Sequence, residues 1–138
     1  MKPTNTMSFQ GRVIKAGHAE GRALVSPEPI GFLGGVDPQT GRVIERGHPL
    51  EGQSIAGRIL VFPTSKGSTV GSYTIYRLAK NGLAPAGILC AASEPIVAVG
   101  AIIAEIPMVD QIPIEAIQDG DWVTIANDWV TIERDEGP

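Results

Sequence analysis

Apolar positions along the chain change period several times. "GRILVFP" (57–63) and "PAGILCA" (85–91) are short continuous apolar runs bounded by Gly or Pro. Such runs predict strands buried on both faces. Between them, "STVGSYTIYRLAKNG" (68–82) switches to a helical spacing. Val70, Tyr73 and Tyr76/Arg77 fall three or four apart, as do Ile75, Leu78 and Ala79. Ser68 or Thr69 suits the start of this helix, Lys80 its last turn, and Gly82 the residue after it. "SEPIVAVGAIIAEI" (93–106) predicts a second helix, with Ser93 as cap, Glu94 at the positive end, Pro95 in the first turn and Pro107 as stop. It is apolar on nearly every side, so its expected place is inside the protein. "PMVD" (107–110) predicts a short strand.

Upstream, "GRVIKAGHAEGRALV" (11–25) alternates in part and predicts two short strands around a glycine turn. Residues 26–52 carry four Pro and six Gly and read as mostly loop, with one strand at Arg42–Glu45. "VDPQTG" within it has the chemistry of a turn. A loop of this length in a compact domain is usually functional or poorly ordered. Downstream, "WVTI" occurs at 122–125 and again at 129–132, and Asn127-Asp128 between the copies predicts a hairpin. Residues 1–10 and 134–138 read as loose tails. The expected fold class is α/β. One domain over 1–138 holds a small strand–helix–strand–helix–strand core, flanked by strands that wrap into a barrel-like second layer.

Composition narrows the function classes. At 138 residues the chain fits one domain. A net charge of −4, with no Lys/Arg cluster, gives no footprint for nucleic acid. The apolar runs are too short to span a bilayer, and "MKPTNTMSFQG" has no secretory h-region. Cys90 is the single cysteine, which points to a reducing, cytoplasmic setting. With His18 and His48 as the two histidines, this chain alone cannot ligate an iron–sulfur cluster or a zinc ion of the usual ligand number. If a metal takes part, another chain supplies most of its ligands.

The chemistry concentrates at "FPTSKGSTVGSY" (62–73), where a buried strand runs into a helix. A helix start offers unpartnered N–H groups and partial positive charge, so it attracts anions. Gly67 lets a ligand approach the backbone, Lys66 adds charge, and Ser68 and Thr69 supply one hydroxyl more than a cap needs. A plain Ser/Thr cap after a strand is the competing reading. The order Lys66-Gly67 is not that of a P-loop, and no G-x-S-x-G elbow is present. Gly34-Gly35 in "FLGGVDP" can bring backbone to a ligand or simply make two turns. His48 reads as a solvent-facing loop residue, Cys90 as a small core residue, and Glu94 as electrostatic capping. Ser72, one helical turn past Ser68, can face the same site.

"GFLGGVDPQTGRVIERGHPLEG", "SKGSTVGSYTIYRLAKNG" and "EPIVAVGAIIAEIPMVD" together resemble the small subunit of aconitase-X-type dehydratases, over roughly residues 20 to 133. The family's usual Gly-Lys-Gly-Ser-Thr has Ser65 in place of its first glycine here. The resemblance implies a swivelling β/β/α domain that completes the active site of a separate large subunit, as a heterodimer. That subunit would carry the iron–sulfur cluster (4Fe–4S), whose iron acts as a Lewis acid on the departing hydroxyl. By the aconitase pattern Gly-x-Gly-Ser-Ser-Arg, Ser68 would be the proton-abstracting base and Thr69 would assist at the substrate. Val70 stands where aconitases have arginine, so substrate binding must differ from that of a tricarboxylic acid, and Lys66 can compensate. The substrate would be a small anionic carboxylate or phosphate. "GSTVGSY" resembles the two-subunit archaeal type, which dehydrates mevalonate 5-phosphate to trans-anhydromevalonate 5-phosphate in an isoprenoid route. The alternatives are a cis-3-hydroxy-L-proline dehydratase subunit, a non-catalytic anion-binding or regulatory domain, and a structural subunit that covers the partner's cleft.

Overall fold

The computed structural model describes residues 4–68 and 70–135. Eight strands and two helices follow in the order β1 (Thr4–Gln10), β2 (Arg12–Lys15), β3 (His18–Val25), β4 (Ile59–Phe62), α1 (Gly71–Lys80), β5 (Gly87–Cys90), α2 (Pro95–Ala104), β6 (Met108–Asp110), β7 (Trp122–Ala126) and β8 (Trp129–Asp135). All eight strands join one curled sheet in the order β1-β8-β7-β3-β4-β5-β6-β2. β3 is the corner. Its first half, His18–Arg22, pairs antiparallel with β7, and Ala23–Val25 pair parallel with β4. From there β4, β5 and β6 continue parallel, and β2 closes the edge antiparallel to β6.

The continuous apolar runs follow from this architecture. Side chains alternate across a strand. Leu60, Phe62, Ile88, Cys90 and Met108 face a core shared with both helices and the 26–58 connection. Ile59, Val61, Leu89 and Val109 face the other way and meet Val123, Ile125, Val130 and Ile132 from the curled hairpin side. A strand buried on both faces has no polar alternation to show.

The connection from β3 to β4 contains no helix, yet it is well anchored. Ile30, Phe32, Val36, Val43, Leu50 and Ile55 all enter the first core. Phe32 meets Phe62 of β4 edge to face, with ring centroids 6.1 Å apart. The strand expected at Arg42–Glu45 reduces to isolated bridges, Val36 with Val43 and Arg42 with Ser54. Tight turns on either side leave no room for a longer ladder. The "VDPQTG" turn forms as expected: Asp37 Oδ1 accepts from the Gln39 amide at 2.9 Å, and Gly41 takes φ 74°.

Three other expectations are corrected. Residues 4–10 are not a loose tail but β1, paired in register with β8, and residues 134 and 135 belong to β8. The parts of those tails at 1–3 and 136–138 lie outside the described residues. The cap of α2 is Glu94, not Ser93: its carboxylate accepts from the Val97 amide at 3.2 Å, while Ser93 turns to Asp110. Finally, α2 is buried on one face only, and Val99, Ile102 and Ile103 are exposed. The end of α1 matches its reading. Asn81 is the last helical cap and Gly82 takes φ 70°. The amides of Gly82 and Leu83 then bond back to Ala79 and Leu78 at 3.1 and 2.9 Å. The hairpin turn also forms at Asn127-Asp128, with Asn127 at φ 56°.

Candidate active site at the start of α1

The carboxyl ends of the parallel strands gather the starts of both helices, the arrangement in which α/β folds bind ligands. After Phe62, the chain leaves β4 and runs beside the 26–36 segment. Ile30 and Ser65 form a parallel bridge, and the Lys66 amide donates to the Ile30 carbonyl at 2.9 Å. The two segments lie so close that a Cβ on Gly31 would sit 3.2 Å from the Lys66 carbonyl oxygen. Gly67 takes φ 96°, which turns the chain outward at low cost. Lys66, Gly67 and Ser68 are exposed at this turn. Thr69 lies outside the described residues.

α1 begins at Gly71 with Val70 as its cap position and no side-chain cap. Ser68 is therefore placed two residues before the cap. Its Oγ accepts from the Val70 amide at 3.2 Å, and its carbonyl accepts from the Gly71 amide at 2.9 Å. Gly71 is small because both helices and the loop converge there. A Cβ would stand 3.0 Å from Ile96 Cγ2 and 3.5 Å from the Leu33 amide nitrogen. The exposed Ser68 hydroxyl thus sits at the positive end of a helix and accepts an amide N–H. Both features favour the deprotonated oxygen.

The other expected residues are distributed around this turn. Lys66 pairs with Glu45 from the long connection, Nζ to Oε2 at 3.0 Å, with side chains 47% and 33% exposed. The same carboxylate side chain borders Gly35, whose amide neighbour in the turn, Gly34, takes φ 77°. A Cβ on Gly35 would overlap the Gly31 carbonyl oxygen, whereas one on Gly34 would meet nothing. Gly35 is therefore fixed by internal packing, and Gly34 is the member of the pair that faces open space. His48 is not solvent-facing as expected: it is 6% exposed. Its Nδ1 accepts from the Leu50 amide at 3.1 Å and its Nε2 lies 3.0 Å from the Pro29 carbonyl oxygen. With Nδ1 accepting, Nε2–H donates to Pro29, and the ring staples two parts of the connection together.

Two contacts that the motif reading did not anticipate brace this edge. The Ser65 hydroxyl donates to the Glu94 carboxylate, which ties the turn to the start of α2. Asp110, fully buried at the end of β6, receives Arg12 at both oxygens, at 2.9 and 2.7 Å. It also receives the Ser93 amide and hydroxyl at 3.0 and 2.6 Å. Burial pushes the Asp110 carboxyl up, but these bonds to Arg12 and Ser93 outweigh it and hold the group below its usual range. Burial, followed by the nearby Asp110 and Glu94 charges, pushes the Cys90 thiol far up, so it stays protonated. Neither brace has a local sequence signature. Arg12 meets Asp110 across 98 positions and Ser65 meets Glu94 across 29.

A hollow of about 640 Å³ lies away from this turn, against β3, β7 and β8, and is lined by Arg22, Trp122, Asp121 and Arg134 among others. Within it Arg134 pairs with Asp121, and Arg22 lies over Trp122 and donates to the Gly120 carbonyl. A smaller groove of about 140 Å³, lined by Ser72, Pro95, Ile96 and Val99, opens between the starts of α1 and α2.

The family profile described as the aconitase X swivel domain matches residues 8–133. The chain belongs to this family. It is 58% identical to the phosphomevalonate dehydratase small subunit of Methanocella arvoryzae, covering 86% of this chain and 92% of that one. It is 52% identical to the protein of the same name from Thermococcus onnurineus, covering 94% of this chain and 100% of that one. Among solved structures, it superposes on Thermococcus kodakaraensis aconitase X, holo-form, with a TM-score of 0.90 at 50% identity, covering 91% of this chain and 98% of that one. The swivel-domain architecture expected of this sequence is thereby shown. Among the described residues no helix is long and apolar enough to cross a membrane.

Proposed function

We propose that this chain is the small subunit of a phosphomevalonate dehydratase, a hydro-lyase that acts as a heterodimer with a large aconitase-X-type subunit. The reaction removes water from mevalonate 5-phosphate to give trans-anhydromevalonate 5-phosphate. The observation that carries this reading is identity above 50% across nearly the whole length of relatives that bear this name. The cis-3-hydroxyproline and non-catalytic anion-binding readings have no comparable support. We assign the heterodimer to the cytoplasm, in keeping with one buried, unpaired cysteine.

In this reading Ser68 is the base. Its Oγ takes the proton from the carbon next to the substrate carboxylate. The electron pair left behind forms the double bond as the neighbouring C–O bond breaks and hydroxide leaves; the proton taken up by Ser68 then passes to that hydroxide, which completes the water and restores the base. The Val70 amide and the α1 dipole stabilise the serine oxygen before it accepts that proton. Lys66, held by Glu45 at the rim, and the open backbone at Gly67 and Gly34 offer charge and N–H groups to the anionic substrate. Thr69 completes the proposed substrate contacts.

The family's iron–sulfur cluster supplies Lewis-acid chemistry at the departing hydroxyl when bound. This chain does not fit it as a resident group. Among the described residues no three His, Cys, Asp or Glu side chains cluster, and the Cys90 thiol is buried. The cluster is therefore assigned to the large subunit, and no step above runs through it. Co-expression with that subunit, anaerobic reconstitution, and separate assays with mevalonate 5-phosphate and cis-3-hydroxy-L-proline test the proposal. Turnover of the first alone is expected; turnover of the second alone overturns the substrate.

A further inference from the structure

Helix α2, "PIVAVGAIIA", carries no polar side chain in ten residues. Ile96, Val97, Gly100 and Ala101 are its buried face. Gly100 brings it against α1, since a Cβ there would stand 2.5 Å from Ile75 Cδ1. Pro95, Val99, Ile102 and Ile103 fall at i, i+4, i+7 and i+8 and share the opposite face. Val99, Ile102 and Ile103 are 47–48% exposed. A helix layered on a sheet normally turns polar residues to solvent. α1 does so with Arg77 and Lys80. The apolar ground does not stop at α2. The groove beside Pro95 and Val99 also takes Ser72 of α1, and Val70 and Tyr73, close to Ser72 in the chain and just after the Ser68 turn, are exposed by 53% and 60%.

We propose that this face of α2, with Val70 and Tyr73, is the surface on which the large subunit docks. The inference rests on the reading of this chain as a small subunit. A partner that brings substrate to Ser68 must cover the turn, and the side chains it meets next are Val70, Tyr73, Pro95 and Val99. The stripe alone does not suit a second copy of this chain. A ten-residue helix face measures about 15 Å by 10 Å, on the order of 150 Å². A standard interface takes about 800 Å² from each partner. Joined to the mouth of the site, the same stripe becomes part of a surface of useful size.

The test is the affinity of the purified chain for the large subunit of the same organism, measured by calorimetry. Ile102→Asp and Val99→Asp are made separately, with Glu20→Lys on the exposed side of β3 as a control. Each aspartate variant is expected to raise Kd by about tenfold or more, and the control to stay within about twofold. Circular dichroism of each isolated variant checks the fold. Val99→Ala, expected to raise Kd by about threefold, serves where an aspartate variant fails to fold. Unchanged Kd in folded variants overturns the docking face and leaves the functional proposal standing. So does a wild-type dimer that Ile102→Asp splits in sedimentation while large-subunit affinity is unchanged. A wild-type chain that never binds the large subunit overturns the functional proposal itself, and the docking face falls with it.

Discussion

At the scale of single residues, the site edge is held by Asp110. Its carboxylate gathers Arg12 from β2 and Ser93 from the start of α2. Because its folded pKa lies below the unfolded value, its stabilisation is complete above the unfolded pKa and is lost as pH falls through the folded one. Asp110→Asn is expected to lower the unfolding free energy by about 2 kcal/mol at pH 7. Urea titrations should show that gap closing below about pH 4, where the unfolded carboxylate protonates. A gap independent of pH would contradict the pairing. Little of this was legible in the sequence. Asp110 closes a short strand like any polar residue, and its partner stands 98 positions away. His48 misled for a related reason. Its neighbours Gly47, Pro49 and Gly52 spell an exposed turn, while Leu50 beside it is drawn into the core and takes the ring inward.

At the scale of elements, helix starts and glycine turns decide the geometry of the site. Gly34 and Gly35 look alike in the sequence but do different things. Gly34→Ala meets only the backbone cost of φ 77°, roughly 1 kcal/mol. Gly35→Ala must displace the Gly31 carbonyl and is expected to cost about 3 kcal/mol. Thermal unfolding of the two variants separates them, and equal losses would refute the assignment. Glu94 serves two elements at once, as cap of α2 and as acceptor for Ser65. Glu94→Ala should cost about 1–2 kcal/mol, and Glu94→Gln less, since it keeps an acceptor for the Val97 amide; chemical denaturation of the pair reads the difference. The strands β4 and β5 and the end of α1 were legible because burial on both faces and a glycine stop leave local marks. The exposed face of α2 was not. Periodicity records that a position is apolar, not whether the protein's own core or another chain covers it.

At the scale of the molecule, β3 divides the work. Its antiparallel half carries the hairpin layer, and its parallel half begins the four strands whose carboxyl ends carry the candidate site. The two cores lie on opposite faces of those strands, so the strands that carry the site edge are packed from both sides. On that edge the exposed Ser68 is placed at a helix start, its hydroxyl accepting the Val70 amide. The strand–helix junction itself was legible. The position of Ser68 two residues before the cap was not, because capping rules favour a Ser or Thr at the cap itself, and here Val70 occupies that position.

The most direct test is turnover of mevalonate 5-phosphate by the reconstituted heterodimer, wild type beside Ser68→Ala. The account predicts a fall in kcat of about 100-fold or more in the variant, with assembly and cluster content unchanged. Wild-type kcat in an intact Ser68→Ala complex would contradict the assignment of Ser68 as the base.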